Sequence, residues 1–451
     1  MRAEIRGSVW YLSYSENGRR HRPRIGADKQ AARQLAAQIN AQLESSVPTA
    51  LSFEPITLEE LQRCWLDHHE HVLRSSLQTI RRYRAATNHL IAFLEKQHPG
   101  CRTSVFGMHH AEGFVRYLRA IKVAPNGHAK ARKRPLLDSG IRFILETCRS
   151  MFRFALKRRH LSPYADNPFS ELEIDRLPIE NVKPVQILTP ELDARLLEAC
   201  DEWQFPIFLT LMFTGLRPGE LTHLLLPVDL DLEAGVLRVR NKPRLRWQVK
   251  TRNEREIPLL PILGRVLRHL IGSRTTGLVF RRRACTSGHR MPLQCADSTP
   301  QLEHLLQSRI VQAELDDGEA LSRAQEERLA RIVWRDAGLI RSELIRNEFR
   351  RLTRRIDLPE LTAPKVRRHG FATSLQDANV DPLIRCELMG HSTGSRSASH
   401  RLGMTATYTH TRPETRRDQL IAAFVNRQLV RIAESWLLIR TSATGRAVAS
   451  Q

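Results

Sequence analysis

Alternating apolar and polar residues mark the beginning of the chain. The segment VWYLSYSE, residues 9–16, has the two-residue period of a β-strand, and Asn17-Gly18 after it is a strong hairpin signal. The returning segment is basic and carries Arg19, Arg20 and Arg22. A helical segment follows with Asp28 as its N-cap. We predict a module of hairpin and helix over residues 1–46, whose basic strand either contacts a polyanion or is a solvated edge.

A helical period replaces the alternation after a linker that contains Ser and Pro, residues 45–55. Four amphipathic segments follow. The first opens with a capping box, in which the side chains of Thr57 and Glu60 each accept a backbone N–H of the other residue. This pattern predicts a helical bundle over residues 55–174. Its last helix carries basic residues four positions apart on one face: Arg149, Arg153 and Lys157.

A third unit, residues 186–425, mixes the two periods. It begins with Thr189 as an N-cap and Pro190 at the first helical position. Residues 235–259 alternate and predict β-strands with a turn near residues 251–254. The pattern therefore predicts a mostly helical domain with a small antiparallel sheet.

Two further segments belong to this part of the chain. Residues 281–340 are charged and helical, and they resemble an insertion. Residues 416–439 predict one amphipathic helix, so that a C-terminal helix and tail occupy 426–451. The apolar face of that helix packs either on the protein's own core or on a neighbouring copy. For the whole chain we predict an α+β protein that is mainly helical, with small β-sheets.

The motif TGLRPGEL, residues 214–221, places charges inside an apolar stretch. An unpaired buried charge costs several kcal/mol. Gly215 can end one helix in the left-handed conformation and Pro218 can start the next, so Arg217 lies at a helix junction. Glu220 then either pairs internally with Arg217 or supports it as a clamp for a phosphate.

Charge and cysteine content narrow the class of protein. The chain has 451 residues and a formal net charge of +23, which favours a nucleic-acid partner. Seven scattered cysteines, no apolar leader and no stretch of membrane-spanning length predict a cytoplasmic, nucleoid-associated protein without a membrane partner. Cys285, His289 and Cys295 lie close in sequence, but they lack a fourth ligand and tight pairing, so we predict no metal site.

Motifs later in the chain, taken with TGLRPGEL, resemble those of the tyrosine recombinases, or phage integrases, which share their chemistry with type IB topoisomerases. These motifs are QVKTRNEREIPL (248–259), KVRRHGFAT (365–373), LMGH (388–391) and TATYTH (405–410). Tyr408 is also the single tyrosine after residue 164. By the resemblance, the catalytic residues fall on Arg217, Lys250, Lys365, Arg368, His391 and Tyr408.

The resemblance implies a site-specific recombinase that cleaves DNA through a 3′-phosphotyrosine, integrating or excising a mobile element. It implies no cofactor, no metal and no ATP. It also implies a homotetramer on two double-stranded DNA sites, with accessory DNA-bending or directionality proteins as further partners. The helical bundle resembles the family's core-binding domain, and residues 1–46 resemble its arm-type DNA-binding module.

Two departures from the family pattern keep other functions open. Lys365 stands where the family usually has histidine, and sixteen residues separate His391 from Tyr408. A lysine can contact phosphate, but it is no neutral base unless its pKa is strongly lowered. The main alternative is a catalytically impaired family member that only binds DNA. Another is a topoisomerase without site choice, which three DNA-contacting units disfavour.

Overall fold

The computed structural model describes residues 2–16, 19–22, 24–44, 53–124, 131–161, 165–177, 188–286, 298–391, 411–425 and 427–448. The chain divides into two units, Met1–Pro184 and Val185–Gln451. The first unit contains the predicted N-terminal module and helical bundle. The second unit contains all the motifs that carry candidate chemistry.

The N-terminal module consists of a four-stranded antiparallel sheet and one helix: β1 (Arg2–Arg6), β2 (Val9–Glu16), β3 (Arg19–His21), β4 (Arg24–Gly26) and α1 (Lys29–Glu44). The register pairs Ser15 with Arg20, which confirms the predicted hairpin, while its turn residues lie outside the described residues. Asp28 Oδ1 accepts the backbone N–H groups of Gln30 and Ala31 at 2.7 and 3.1 Å, so the predicted N-cap is confirmed.

The four amphipathic segments after the linker form the predicted helices, with one short α-helix and a two-stranded ribbon beside them. In order these elements are α2 (Leu58–Asp67), α3 (Leu77–Gln97), α4 (Met108–Ala120), β5 (Lys122–Val123), β6 (Arg134–Pro135), α5 (Asp138–Lys157) and α6 (Pro168–Glu171). Thr57 Oγ1 accepts the Glu60 N–H at 3.2 Å, and Glu60 Oε2 accepts the Thr57 N–H at 3.1 Å. The capping box is therefore confirmed.

Twelve α-helices are described in the second unit, and eleven of them precede residue 426. They are α7 (Pro190–Glu198), α8 (Gln204–Thr214), α9 (Pro218–Thr222), α10 (Pro261–Ile271), α11 (Arg283–Thr286), α12 (Thr299–Asp317), α13 (Arg323–Asp336), α14 (Ser342–Arg355), α15 (Lys365–Asp377), α16 (Pro382–Met389) and α17 (Pro413–Phe424). A twelfth, α18, spans Gln428–Val448. The strands are β7 (Leu225–Leu226), β8 (Leu230–Asp231), β9 (Val236–Val239), β10 (Arg255–Pro258) and β11 (Gly277–Leu278).

Helix α8 forms the centre of the second unit. Every residue from Gln204 to Thr214 is buried, as expected for a helix that is apolar on all sides. Aromatic rings from distant helices pack around it, and Phe349 and Phe371 belong to the same core cluster. The two charges that follow α8 in sequence therefore lie next to the hydrophobic core of the second unit.

Two predicted elements differ from the structure. Residues 235–259 do not form two long strands, because β9 and β10 pair only through Val236–Val239 and Arg255–Pro258. Residues 240–254 leave the sheet instead and include a 3₁₀ turn at Pro243–Leu245. The single helix predicted over 416–439 is likewise wrong, because α17 ends at Phe424 and α18 begins at Gln428.

The break between α17 and α18 has a packing cause. Phe424 and Leu429 are both buried in the main core, whereas Val425 is 51% exposed. A continuous helix would rotate one of the buried side chains away from the core. The apolar face of the tail thus packs on its own unit, where the Trp436 ring stacks on Phe205 at 4.7 Å.

The protein is mainly helical with small antiparallel sheets, as predicted. The described part of segment 281–340 contains helices α11, α12 and α13, as the helical prediction for this segment expected. None of the described helices combines the length and the apolar composition that a membrane crossing requires.

Candidate active site

Arg217 emerges between two helices whose ends the local sequence dictates. Gly215 closes α8 with φ of +60°, and Pro218 is the first residue of α9. Arg217 itself is the extended N-cap residue of α9. Its side chain is 23% exposed, so the predicted position at a helix junction is confirmed.

The carboxylate of Glu220 is shared by two arginines. Arg217 Nη1 donates to Glu220 Oε1 at 2.7 Å, and Arg255 Nη2 donates to Oε2 at 2.7 Å. Burial alone would raise the pKa of Glu220, but the hydrogen bonds and charge of Arg255, followed by those of Arg217, outweigh it and lower the pKa. Glu220 is therefore ionised, and it neutralises only part of the local positive charge.

Arg368 joins this cluster from α15. Its Nη1 donates to the carbonyl oxygen of Gly215 at 2.6 Å, and its Nη2 donates to the carbonyl oxygen of Met389. Burial, then the charges of Arg217 and Arg255, lower the pKa of Arg368 to about 10, against the opposing effect of Glu220. The guanidinium remains charged at neutral pH, so Arg368 adds a third positive charge near the two arginines that bind Glu220.

His391 lies at the same place because α16 ends there. Gly390 caps the helix with φ of +61°, and the His391 N–H donates to the Cys386 carbonyl oxygen at 3.0 Å. The imidazole Nε2 is 3.4 Å from Nη2 of Arg368. Burial and the charges of Arg368, Arg217 and Arg255 lower the pKa of His391, so the ring is mainly neutral at pH 7.

The residue that holds this arrangement together, Arg255, is absent from the sequence-based prediction. Its guanidinium binds Glu220, and its Nε donates to the carbonyl oxygen of Leu388 at 2.9 Å. A Cβ on Gly390 would lie 2.8 Å from its Nη1. One sequence signal could have revealed it. Arg255 and Ile257 are two positions apart on β10, so their side chains point to the same, buried face of the sheet. A buried charge there needs a partner.

Lys250 lies in residues 240–254, the segment that leaves the sheet between β9 and β10 and is called the excursion below. It is exposed in a turn with Thr251, whose Oγ1 donates to the carbonyl oxygen of Gly390 at 3.3 Å. The other lysine of this excursion, Lys242, is buried and pairs with Asp229 at 2.8 Å. The structure thus brings Lys250, rather than Lys242, next to the segment that carries His391.

The remaining predicted catalytic residues are Lys365 and Tyr408. Lys365 is the first residue of α15 and is exposed, as is His369. Tyr408 and residues 392–407 lie outside the described residues. Arg367, next to Arg368, is turned the other way: it pairs with Asp193, and burial lowers its pKa to about 9.

The predicted DNA-binding residues lie in the first unit. Arg153 and Lys157 are exposed on one face of α5, and Arg149 is 3.8 Å from Asp175. Arg22 is 3.8 Å from Glu4, while the side chains of Arg19 and Arg20 on β3 lie outside what is described. Within the described ranges, no group of three or more His, Cys, Asp or Glu side chains could hold a metal ion.

Gly215 offers a test of the helix junction. A Cβ there would lie 2.3 Å from Cδ1 of Phe371, and the left-handed backbone conformation disfavours any other residue. We expect Gly215→Ala to destabilise the protein by roughly 2–4 kcal/mol, from backbone strain and overpacking together. Denaturant midpoints of wild type and variant would measure the change.

Gly264→Ala is the matched control, because a Cβ in that part of α10 meets no atom within 4 Å. Removing a helical glycine should stabilise the protein by roughly 0.5–1 kcal/mol. If both variants shift the midpoint in the same direction, the junction is not under the constraint described above.

The chain is similar to a known protein family and to several solved structures. The model of the phage integrase family matches residues 186–415. Among solved structures, the chain is similar to the Tn1549 transposon integrase in complex with transposon right end DNA, with 18% identity and a TM-score of 0.50 over 81% of this chain and 98% of that one. It is also similar to a lambda integrase dimer bound to a COC′ core site, with 15% identity and a TM-score of 0.40 over 91% and 96%.

No curated protein matches the sequence. The family match nevertheless spans just over half of the chain and contains Arg217, Lys250, Arg368, His391 and Tyr408. The chain therefore belongs to the phage integrase family, of which residues 186–415 are the tyrosine recombinase catalytic domain.

Proposed function

We propose that this protein is a site-specific DNA recombinase that cleaves and rejoins strands through a 3′-phosphotyrosine and integrates or excises a mobile element. One observation carries the proposal: the partly exposed Arg217 pairs with Glu220, and Arg368, which is near enough to feel the charges of both, lies 3.4 Å from Nε2 of His391. A cluster with an excess of positive charge is suited to a phosphate group.

In the proposed reaction Tyr408 is the nucleophile. Its phenol loses its proton to water, the phenolic oxygen attacks the scissile phosphorus and forms a bond to it, and the bond from phosphorus to the 5′-oxygen breaks. Lys250 donates a proton to the leaving 5′-oxygen. Because the phosphotyrosine conserves the free energy of the phosphodiester, a 5′-hydroxyl can reverse the attack without ATP or a metal.

The arginines stabilise the transition state. Arg217 and Arg368 would each bind non-bridging oxygens of the pentacoordinate phosphorus, and His391 would donate a further hydrogen bond. The neutral state of His391 leaves one ring nitrogen as a donor. Lys365, exposed at the start of α15, would contact the phosphate without acting as a base.

The first unit would bind DNA outside the cleavage site. Residues 55–174 are proposed as a core-binding domain, with the exposed Arg153 and Lys157 towards the phosphate backbone. Residues 1–46 are proposed as an arm-type module. A homotetramer on two duplexes, with accessory bending or directionality proteins, follows from the family, and the similar Tn1549 transposon integrase, solved with transposon DNA, supports a mobile-element role.

Covalent capture tests this proposal. The full-length protein is mixed with sheared DNA from the organism that encodes it, in EDTA, and then denatured in SDS. DNA that remains attached is isolated and sequenced. We expect adducts at one preferred sequence, because the intermediate is covalent and the enzyme selects its site.

The other outcomes separate the alternatives. Tight binding with no adduct, also on nicked DNA that traps the intermediate, would establish a DNA-binding protein without catalysis. Adducts scattered along the DNA without preference would instead indicate a topoisomerase.

A further inference from the structure

The insertion between β11 and α14 packs on the excursion that carries Lys250. Helices α12 and α13 are joined by residues 318–322 and have a small core of their own. That core is completed from outside the insertion by Leu225, Leu245 and Leu278. Leu245 belongs to the 3₁₀ turn of the excursion, so this turn and the insertion share one hydrophobic cluster.

Polar contacts from both helices reach the same three consecutive residues of the excursion. Trp334 Nε1 donates to the carbonyl oxygen of Leu245 at 3.1 Å. Arg246 pairs with Glu326 of α13 at 3.0 Å, and Arg244 pairs with Glu303 of α12 at 3.4 Å. The insertion thus holds residues 244–246 by their backbone and by their side chains.

An aromatic stack extends these contacts towards the candidate active site. The Trp247 ring stacks on His223 at 4.6 Å, and His223 makes an edge contact with Trp334 at 4.8 Å. Burial lowers the pKa of His223 to about 3, so the ring is neutral. His223 lies immediately after α9, the helix that begins beside Arg217.

The side chain of Asn241 connects the two ends of the turn that carries Lys250. Lys242 and Trp247 exchange backbone hydrogen bonds at 2.9 and 3.1 Å, which closes the turn formed by residues 243–246. The Asn241 side chain accepts the N–H of Val249 at 2.9 Å and donates to the carbonyl oxygen of Arg252 at 3.0 Å. The turn at Lys250 is therefore bracketed on both sides by one side chain.

We propose that the α12–α13 insertion is a positioning element that holds Lys250 in place for proton transfer. The inference rests on the proposed function, in which Lys250 is the general acid. A general acid acts only within hydrogen-bond reach of the leaving oxygen, so a loosened turn lowers the fraction of productive complexes. Trp334, which touches no reacting atom, is the main positioning residue.

The leaving group provides a specific test. An alkoxide is a poor leaving group and needs a proton, whereas a thiol has a pKa of about 8.5 and leaves as a thiolate without one. Duplexes are prepared with the captured site, carrying either the normal 5′-oxygen or a bridging 5′-sulfur at the scissile phosphate. Single-turnover cleavage is measured on both with full-length wild type, Trp334→Phe and Lys250→Ala.

Phenylalanine keeps most of the packing of Trp334 and removes the N–H that reaches Leu245. We expect Trp334→Phe to slow cleavage of the oxygen substrate about tenfold, and Lys250→Ala to slow it by about 10²–10⁴-fold. On the sulfur substrate both variants should cleave within about twofold of wild type, because no proton is needed.

Two further variants serve as a matched control and as a replacement for Trp334→Phe. Trp203→Phe is the matched control, since its Nε1 also donates to a backbone carbonyl oxygen, that of Arg281 at 2.8 Å, but not within residues 240–254. It should leave cleavage of both substrates unchanged. Should Trp334→Phe fold poorly, Glu303→Gln combined with Glu326→Gln removes both ion pairs and should give a smaller loss with the same rescue by sulfur.

Four results would overturn the inference. Equal slowing of Trp334→Phe on both substrates would mean general damage to the domain, and no slowing on oxygen would mean that the insertion has no positioning role. A wild type that forms no adduct, or a Lys250→Ala that cleaves the oxygen substrate normally, would overturn the proposed function and this inference with it.

Discussion

Replacing Tyr408 by phenylalanine is expected to abolish covalent attachment to DNA while leaving DNA binding nearly intact. Phenylalanine has no hydroxyl to attack phosphorus. The turnover rate of an enzyme that loses its nucleophile falls by about 10⁴-fold or more. Binding loses at most one hydrogen bond, worth about 0.5–1.5 kcal/mol, so Kd should rise less than about tenfold. SDS-resistant adducts measure the first quantity and gel-shift titration the second.

Tyr117→Phe is a suitable control, because this tyrosine lies in the helical bundle and packs partly buried on its core. It should cleave like wild type. Comparable loss of binding and cleavage in Tyr408→Phe would count against a nucleophilic role. Unchanged adduct formation would show that another group attacks, although Tyr408 is the single tyrosine of the second unit.

Glu220→Gln is expected to have the largest effect on stability. The carboxylate is 2% exposed and accepts from Arg217 and Arg255, of which Arg255 is itself 5% exposed. A glutamine would turn an amide N–H₂ towards one guanidinium and remove the counter-charge of both. Breaking a buried ion pair on one side costs about 3–5 kcal/mol. Denaturant midpoints should fall accordingly, and cleavage should fall with them.

Glu256→Gln is the matched control on the same strand as Arg255. Glu256 is 56% exposed and pairs with Arg238 at 3.0 Å. Exposed pairs contribute at most about 1 kcal/mol, so this variant should be nearly neutral. If the two substitutions cost the same, the shared carboxylate is not what holds Arg217 and Arg255 together.

The two variants probe different parts of one arrangement. Tyr408→Phe removes the attacking atom and leaves the phosphate site intact. Glu220→Gln leaves the attacking atom and disturbs the arginines that would bind the phosphate. If Tyr408→Phe folds normally and Glu220→Gln does not, the buried carboxylate holds the site together and takes no part in the chemical step.

Local chemistry made much of this protein predictable from its residues. The caps at Thr57, Asp28 and Thr189 and the helix end at Gly215 depend on neighbours within four positions. The same holds for Arg217 at the start of α9, because Pro218 and Gly215 set the backbone around it. Where a few adjacent residues decide a conformation, a single sequence contains the whole cause.

Contacts between segments that are distant in sequence could not be predicted from local residues. Arg255 lies 35 positions from Glu220, and its burial becomes visible only when β10 meets α9 and the end of α16. The break at 425–427 carries no proline or glycine, and core packing of Phe424 and Leu429 decides it. The contacts of Asn241 and Trp334 likewise could not be predicted, because nothing in their sequence neighbourhood distinguishes them before the excursion folds.

By itself, the sequence determined the mainly helical class, the helix caps, the motif residues and the basic surface, since periodicity, capping and charge are local properties. Only the tertiary structure decided that Arg255 shares Glu220 with Arg217, that Thr251, the residue after Lys250, contacts Gly390, and that Trp334 of the insertion binds the backbone at Leu245. These arrangements depend on which distant side chains become buried together, and that follows from the packing of the whole unit.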